Sequence, residues 1–190
     1  AYIIANPLKD TWETTDKGYF LYVGNMEKRK GVEILLAAYA LYKKRGGEKN
    51  LVLAGKQNDN YIRQQINRAM LLTKDIEYMN YVSQKKKNEL YAHCSCFIFP
   101  SKAEGFGMPV VEVMQFNKPI IVGNLTIYDE IVGDCVNRFK MSDNFDVEAL
   151  ANAMENYDSN VDTAAYNRVL DSYAPEVLGE KLKKFFLSIR

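Results

Sequence analysis

Residues 95–123 read SCFIFPSKAEGFGMPVVEVMQFNKPIIVG. The stretch opens on a short apolar run (95–100) that ends at Pro100. A glycine-bearing polar loop follows, SKAEGFGMP (101–109). The next segment, 107–116, is apolar on most sides and carries Pro109 in its first turn, where proline suits a helix. KPIIVG (118–123) is again a short continuous apolar run. Strand, loop, helix and strand in succession are the unit of a parallel sheet, and runs without alternation are what doubly buried strands look like.

The same alternation extends in both directions. Toward the N-terminus, YFLYVG (19–24) and NLVLAG (50–55) read as strands, and DIEYMNYV (75–82) holds a third. Between them, 31–47 has apolar residues at helical spacing and stops at Gly46 and Gly47 after a basic last turn. Residues 59–73 form a polar helix with one apolar stripe. Residues 83–94 form another, with Ser83 placed to cap it. Toward the C-terminus come a short helix (126–133), a possible sixth strand (137–141) and three helices: 146–157, 161–170 and 175–189. No linker or repeat divides the chain. The expected fold is α/β: one doubly wound, Rossmann-like domain over 1–190 with a helical C-terminal end.

Composition narrows the function. The 190 residues are 47% hydrophobic, and 25 basic against 24 acidic side chains leave +1. That balance argues against nucleic acid as a partner. No run of 18 apolar residues exists to span a membrane. The opening AYIIANPLKD is strand-like and lacks a signal-peptide pattern. Cys94, Cys96 and Cys135 are an odd number without framework spacing, which points to a reducing, cytoplasmic setting. With His93, the only histidine, two of them offer two or three soft ligands and no fourth. Buried thiols are the better reading, and no metal is expected. Lys85, Lys86 and Lys87 read as a solvated helix face rather than a contact for an acidic membrane.

In an open parallel sheet, ligands bind beyond the carboxyl ends of the strands, where strand order reverses. For the common order that crevice lies between the first and fourth strands. The loops there are GNMEKRKG (24–31) and SKAEGFGMP (101–109), the two most chemically marked in the chain. In the first, Gly24 and Gly31 permit tight turns and close approach, and Lys28, Arg29 and Lys30 offer charge-assisted bonds to phosphate. In the second, Gly105 and Gly107 leave room for an anion at the start of a helix. Glu104 and Glu112 stand on either side of that turn. They would repel a phosphate they touched, so they must reach past it to hydroxyls. The ligand thus runs hydroxyls, phosphates, ribose: a sugar nucleotide. The bland alternatives are a solvated basic turn, a surface Glu104 and a Glu112 that compensates the helix dipole in its first turn.

These residues resemble the C-terminal, donor-binding half of GT-B-fold glycosyltransferases of the retaining group known as family 4. YVGNMEKRKGVEILLAAY resembles the phosphate loop and following helix, NLVLAGK the second strand, and YVSQKKKNELYAHCSCFIFPSKAEGFGMPVVEVMQFNKPIIVGN the most characteristic block. The Glu-x7-Glu spacing, with Gly-Phe-Gly and Pro inside it, is matched in full.

The resemblance implies roles. Glu112 would hold the ribose, and Glu104 the donor sugar. Gly105 and Phe106 belong to the same loop, and Gly107 and Met108 would give main-chain N–H groups. Lys30 would neutralise the leaving diphosphate, and with Glu104 it would carry the chemistry. Tyr81 and Val82 would lie at the base. Gly24 is followed by Asn25 where the family usually has arginine, and Arg29 would restore that charge. The reaction implied is transfer of a sugar from a nucleotide diphosphate to a hydroxyl of a glycan or lipid-linked acceptor. It would proceed with retention and without metal or other cofactor, consistent with the lack of an Asp-x-Asp motif. The resemblance also implies that an N-terminal acceptor domain is missing, that the piece alone is inactive, and that any peripheral membrane contact comes through the missing half. Competing readings are a nucleotide or sugar-phosphate binding module without transfer, for which Asn25 is the best support, and a flavodoxin-like domain, which the basic first loop disfavours. A dinucleotide dehydrogenase lacks its Gly-x-Gly-x-x-Gly.

Overall fold

A computed structural model describes residues 12–142 and 147–189. The strand-like opening run 1–10 lies outside the described residues, as does Asp146 at the head of a predicted helix. Among the described residues six strands form one parallel sheet: β1 (Tyr19–Val23), β2 (Asn50–Ala54), β3 (Ile76–Met79), β4 (Cys96–Phe99), β5 (Ile120–Gly123) and β6 (Asn137–Phe139). Their order is β3-β2-β1-β4-β5-β6. Strand order therefore reverses between β1 and β4, where the alternation of the sequence puts it. Phe20 pairs with Cys96 and Leu21 with Phe97 across that junction.

The helices are α1 (Val32–Lys44), α2 (Asn60–Leu72), α3 (Gln84–His93), α4 (Met108–Met114), α5 (Ile127–Ile131), α6 (Val147–Asn156), α7 (Thr163–Ser172) and α8 (Pro175–Ser188). They flank the sheet in two groups: α1 packs on α2 and α6, and α4 packs on α7, which carries α8. Every residue of β4 and β5 is buried. This is why those strands read as unbroken apolar runs. Among the described residues, side-chain caps fix three helix starts: Asp59 accepts from the N–H groups of Tyr61 and Ile62, Ser83 from that of Lys86, and Asp162 from that of Ala165. The helix expected over 107–116 is shorter, seven residues: Gly107, in the left-handed region (φ 85°), caps its start, and it stops at Met114. Among the described residues no helix is long and apolar enough to cross a membrane.

Candidate functional site

The loops beyond β1, β2 and β4 are knitted together by backbone contact. A methyl group on Gly31, whose φ is 69°, would stand 2.0 Å from the Pro100 carbonyl oxygen. The Lys102 N–H donates to the Arg29 carbonyl at 2.8 Å. On the other side, a methyl on Gly55 would stand 2.0 Å from the Gly24 carbonyl oxygen, and the Met26 N–H donates to the carbonyl of Lys56. Only glycine allows these approaches. A short 3-10 turn, Lys28–Lys30, then leads into α1.

That geometry brings Lys30 to Glu104. Nζ lies 2.6 Å from Oε1, and the two side chains are only 12% and 7% exposed. The ammonium also sits 5.1 Å from the centre of the Phe99 ring. Glu104 thus has one oxygen held, and among the described residues no donor is bonded to the other. Arg29 is placed differently. Its Nε pairs with Glu27 at 3.0 Å and its side chain is half exposed, while Asn25 Nδ2 reaches the other oxygen of Glu27 at 3.4 Å. Glu27 ties Asn25 to Arg29 at the rim, and the Tyr22 hydroxyl donates to the Asn25 carbonyl from beneath.

Glu112 is the fifth of the seven residues of α4. It lies four residues beyond Met108, past the first turn, where the sequence reading put it. Dipole compensation at the N-terminus therefore does not explain it. Two donors reach it from α3: Lys87 Nζ at 2.8 Å and the Tyr91 hydroxyl at 3.0 Å. Both fall on Oε2. Lys87 is thereby separated from its neighbours in the KKK run. Lys86 pairs with Glu89 in solvent, whereas the Lys87 side chain is largely buried against Glu112. The expectation of one solvated face holds for Lys86 and fails for Lys87, which shares the inward row of Leu90, Tyr91 and Cys94.

A cleft of about 550 Å³ opens beside these loops. It brings together four predicted residues, Gly24, Asn25, Tyr81 and Val82, with Lys56, Gln84 and Lys87, which the sequence reading missed. The Tyr81 ring is exposed and lies 5.5 Å from Lys56 Nζ. Glu112 connects to the cleft through Lys87. In the glycine loop, Gly105 is open, and Phe106 turns its ring edge-on to Tyr173 at 4.9 Å. Gly107 rests on Tyr128, since a methyl there would meet the ring at 2.9 Å.

Unpartnered polar atoms gather at the same edge. Six buried side-chain N or O atoms among the described residues have no hydrogen-bond partner, and four of them (Glu33 Oε2, Gln57 Nε2, Ser101 Oγ and Tyr128 Oη) belong to segments beyond the carboxyl ends of β1, β2, β4 and β5. Burial, and then the charge of Glu104, push the Tyr128 phenol above its ordinary pKa, so it stands as a protonated donor.

The cysteines lie elsewhere. Cys94 and Cys96 are fully buried, and burial pushes the Cys94 thiol up to about 12. His93 Nδ1 is engaged with the Thr15 hydroxyl at 2.8 Å. Among the described residues no three metal-ligating side chains converge.

The model of the family described as glycosyl transferases group 1 matches residues 8–174. The chain belongs to that family, and its fold is the Rossmann-like C-terminal half of a GT-B glycosyltransferase. It is 35% identical over 133 residues to the O-antigen chain mannosyltransferase B of Escherichia coli, covering 67% of this chain and 34% of that protein. It is 24% identical over 172 residues to the capsular polysaccharide biosynthesis glycosyltransferase CapM of Staphylococcus aureus, covering 87% of this chain and 44% of that one. Among solved structures, the pneumococcal O-GlcNAc transferase GtfA in complex with UDP and GlcNAc superposes with a TM-score of 0.74 at 14% identity, over 95% of this chain and 37% of GtfA. Anabaena Alr3699/HepE in complex with UDP and glucose gives 0.72 at 20% identity, over 91% and 49%. The structural likenesses concern the fold. The chain spans about a third of the length of the E. coli mannosyltransferase it matches.

Proposed function

We propose that this domain binds a nucleotide-diphosphate sugar at the carboxyl edge between β1 and β4, and that the enzyme it serves transfers the sugar to an acceptor hydroxyl on a glycan or lipid-linked glycan. The observation that carries the reading is the paired arrangement of Glu104 and Glu112. Each has one oxygen anchored by a cation and, among the described residues, no donor on the other, and the glycine loop lies between them. Carboxylates held this way accept hydroxyls. Glu112 takes the ribose diol beside the 550 Å³ cleft, which receives the base near Tyr81 and Val82. Glu104 takes the sugar. The diphosphate lies between, along Gly105–Met108.

Negative charge develops on the departing diphosphate, and Lys30 is the cation beside it, with Arg29 at the rim. A preorganised cation in a partly dry site lowers the barrier without needing to rearrange. In this reading neither a metal nor another cofactor is required, and the configuration at the anomeric carbon is retained. The names of the E. coli relatives favour a mannosyl donor. The acceptor site lies on a second domain across the cleft, so the domain alone does not turn over. The reading sets the enzyme in the cytoplasm, with any membrane contact made by that second domain.

Titration calorimetry with UDP, GDP, ADP and inorganic phosphate tests the donor site. One diphosphate should bind preferentially, and Glu112→Ala should weaken it about tenfold or more, the worth of a hydrogen bond to a charged group. Failure of every nucleotide to bind, or a Glu112→Ala variant that binds as well, overturns the assignment. Binding of the sugar nucleotide by the full-length enzyme without transfer to any glycan would reduce the protein to a binding module.

A further inference from the structure

We propose that Lys87 and Tyr91 are positioning residues that clamp Oε2 of Glu112 and so aim Oε1 at the ribose of the bound nucleotide. This rests on the donor-site reading above, which uses Lys87 only as the cation that anchors Glu112, and it gives both α3 residues a positioning role.

The clamp is built by the periodicity of α3. Gln84, Lys87 and Tyr91 stand at i, i+3 and i+7, a single row along one helix face. Gln84 and Lys87 line the cleft, and Tyr91 lies one turn deeper and is fully buried. The Tyr91 ring is fixed by aromatic neighbours on two elements: edge-on to Phe97 of β4 at 5.6 Å and tilted against Phe116 just past α4 at 5.6 Å. Its hydroxyl therefore has one direction to point, and Glu112 Oε2 is 3.0 Å away along it. Burial and the Glu112 charge push the Tyr91 phenol well above its ordinary pKa, so it donates throughout the working pH range. Lys87 closes on the same oxygen from the cleft side at 2.8 Å. Its ammonium offsets the carboxylate charge where the diphosphate must pass.

Two donors on one oxygen fix the plane of the carboxylate. A glutamate free to rotate would spend its ordering entropy at the moment of binding, whereas a clamped one has already lost it. The consequence is discrimination: a fixed Oε1 rewards a ribose diol and gives nothing to a sugar lacking it.

The test compares the diphosphate that the unaltered chain prefers, UDP or GDP, with its 2′,3′-dideoxy form by titration calorimetry. The unaltered chain should bind the ribonucleotide about tenfold or more tightly than the dideoxy form. Tyr91→Phe, nearly isosteric, should shrink that ratio severalfold by weakening the ribonucleotide alone; Lys87→Met should shrink it as well, while also weakening both forms through the lost charge beside the diphosphate. Lys87→Arg should restore most of it. A ratio untouched in both variants overturns the clamp while leaving Glu112 in place. If Glu112→Ala itself keeps the full ratio, the ribose role of Glu112 fails, and the clamp with it. Should Tyr91→Phe not fold, Lys87→Met at the cleft rim decides.

Discussion

Lys30 and Glu104 are the residues on which both stability and the proposed chemistry converge. Their ion pair is short and almost wholly withdrawn from water. Removing one partner of such a pair leaves an uncompensated charge and costs about 3 kcal/mol, whereas replacing both with apolar groups can be neutral. Lys30→Ala should therefore lower the unfolding free energy by about that much, and Lys30→Met with Glu104→Leu should recover most of the loss. Chemical denaturation of the three proteins checks this. A Lys30→Ala variant as stable as the parent would show that the pair contributes nothing to the fold. Both residues were legible in the sequence because each sits in a marked local motif. Lys87 and Tyr91 were not. Their contacts with Glu112 span 25 and 21 residues and depend on how α3 is rotated against α4. A signal did exist: Lys87 precedes the apolar Leu90 and Tyr91 by three and four positions, which puts it on the inward row. Reading KKK as a block of charge hid it.

At the scale of elements, the site is a junction of loops, and its geometry depends on glycines that could be recognised as special but not ranked. Gly31 and Gly133 both have positive φ, 69° and 54°, and look alike in sequence. They differ in what a side chain would meet: the Pro100 carbonyl at 2.0 Å for Gly31, and nothing within 4 Å for Gly133. Left-handed backbone alone costs an L-residue roughly 1–2 kcal/mol. Gly133→Ala should thus lose about 1 kcal/mol and leave nucleotide binding intact. Gly31→Ala must also part the β1 and β4 loops, so it should lose at least about 3 kcal/mol and most of its nucleotide affinity. Parallel denaturation and calorimetry on the two variants decide this. Equal losses would mean that the close loop approach is not what Gly31 provides. The element boundaries were harder to read than the elements. The α4 helix ends two residues before the predicted stop at Phe116, and α1 stops at Lys44. There the Gly47 N–H bonds back to the Tyr42 carbonyl, closing the turn before the two-glycine signal is complete.

For the whole molecule, strand order was the most legible feature, since helix and strand periods alternate without interruption and the right-handed crossover rule leaves few topologies. What the sequence could not say was which helices belong to the core. The α8 helix has a regular apolar row, Leu178, Leu182, Phe185 and Ile189, at the spacing of a buried face. Yet none of its residues is buried, and Phe185, Phe186 and Ile189 are each more than 60% exposed. A stripe withheld from water would stabilise the domain, and one left in water contributes little. The sheet and its flanking helices close without α8: Tyr173, which holds Phe106 edge-on, and the α7 helix that packs on α4 both precede it. The family match also ends at residue 174. Ending the chain after Ala174 should therefore change the unfolding free energy by less than about 1 kcal/mol, within the range of surface changes summed over one helix. It should leave nucleotide binding as it was and lower the tendency of the chain to associate, because the largest exposed apolar row goes with it. Denaturant unfolding and sedimentation of the shortened chain test the three together. A loss of several kcal/mol would place α8 within the cooperative core after all, and would mean that its apolar row meets the domain in solution.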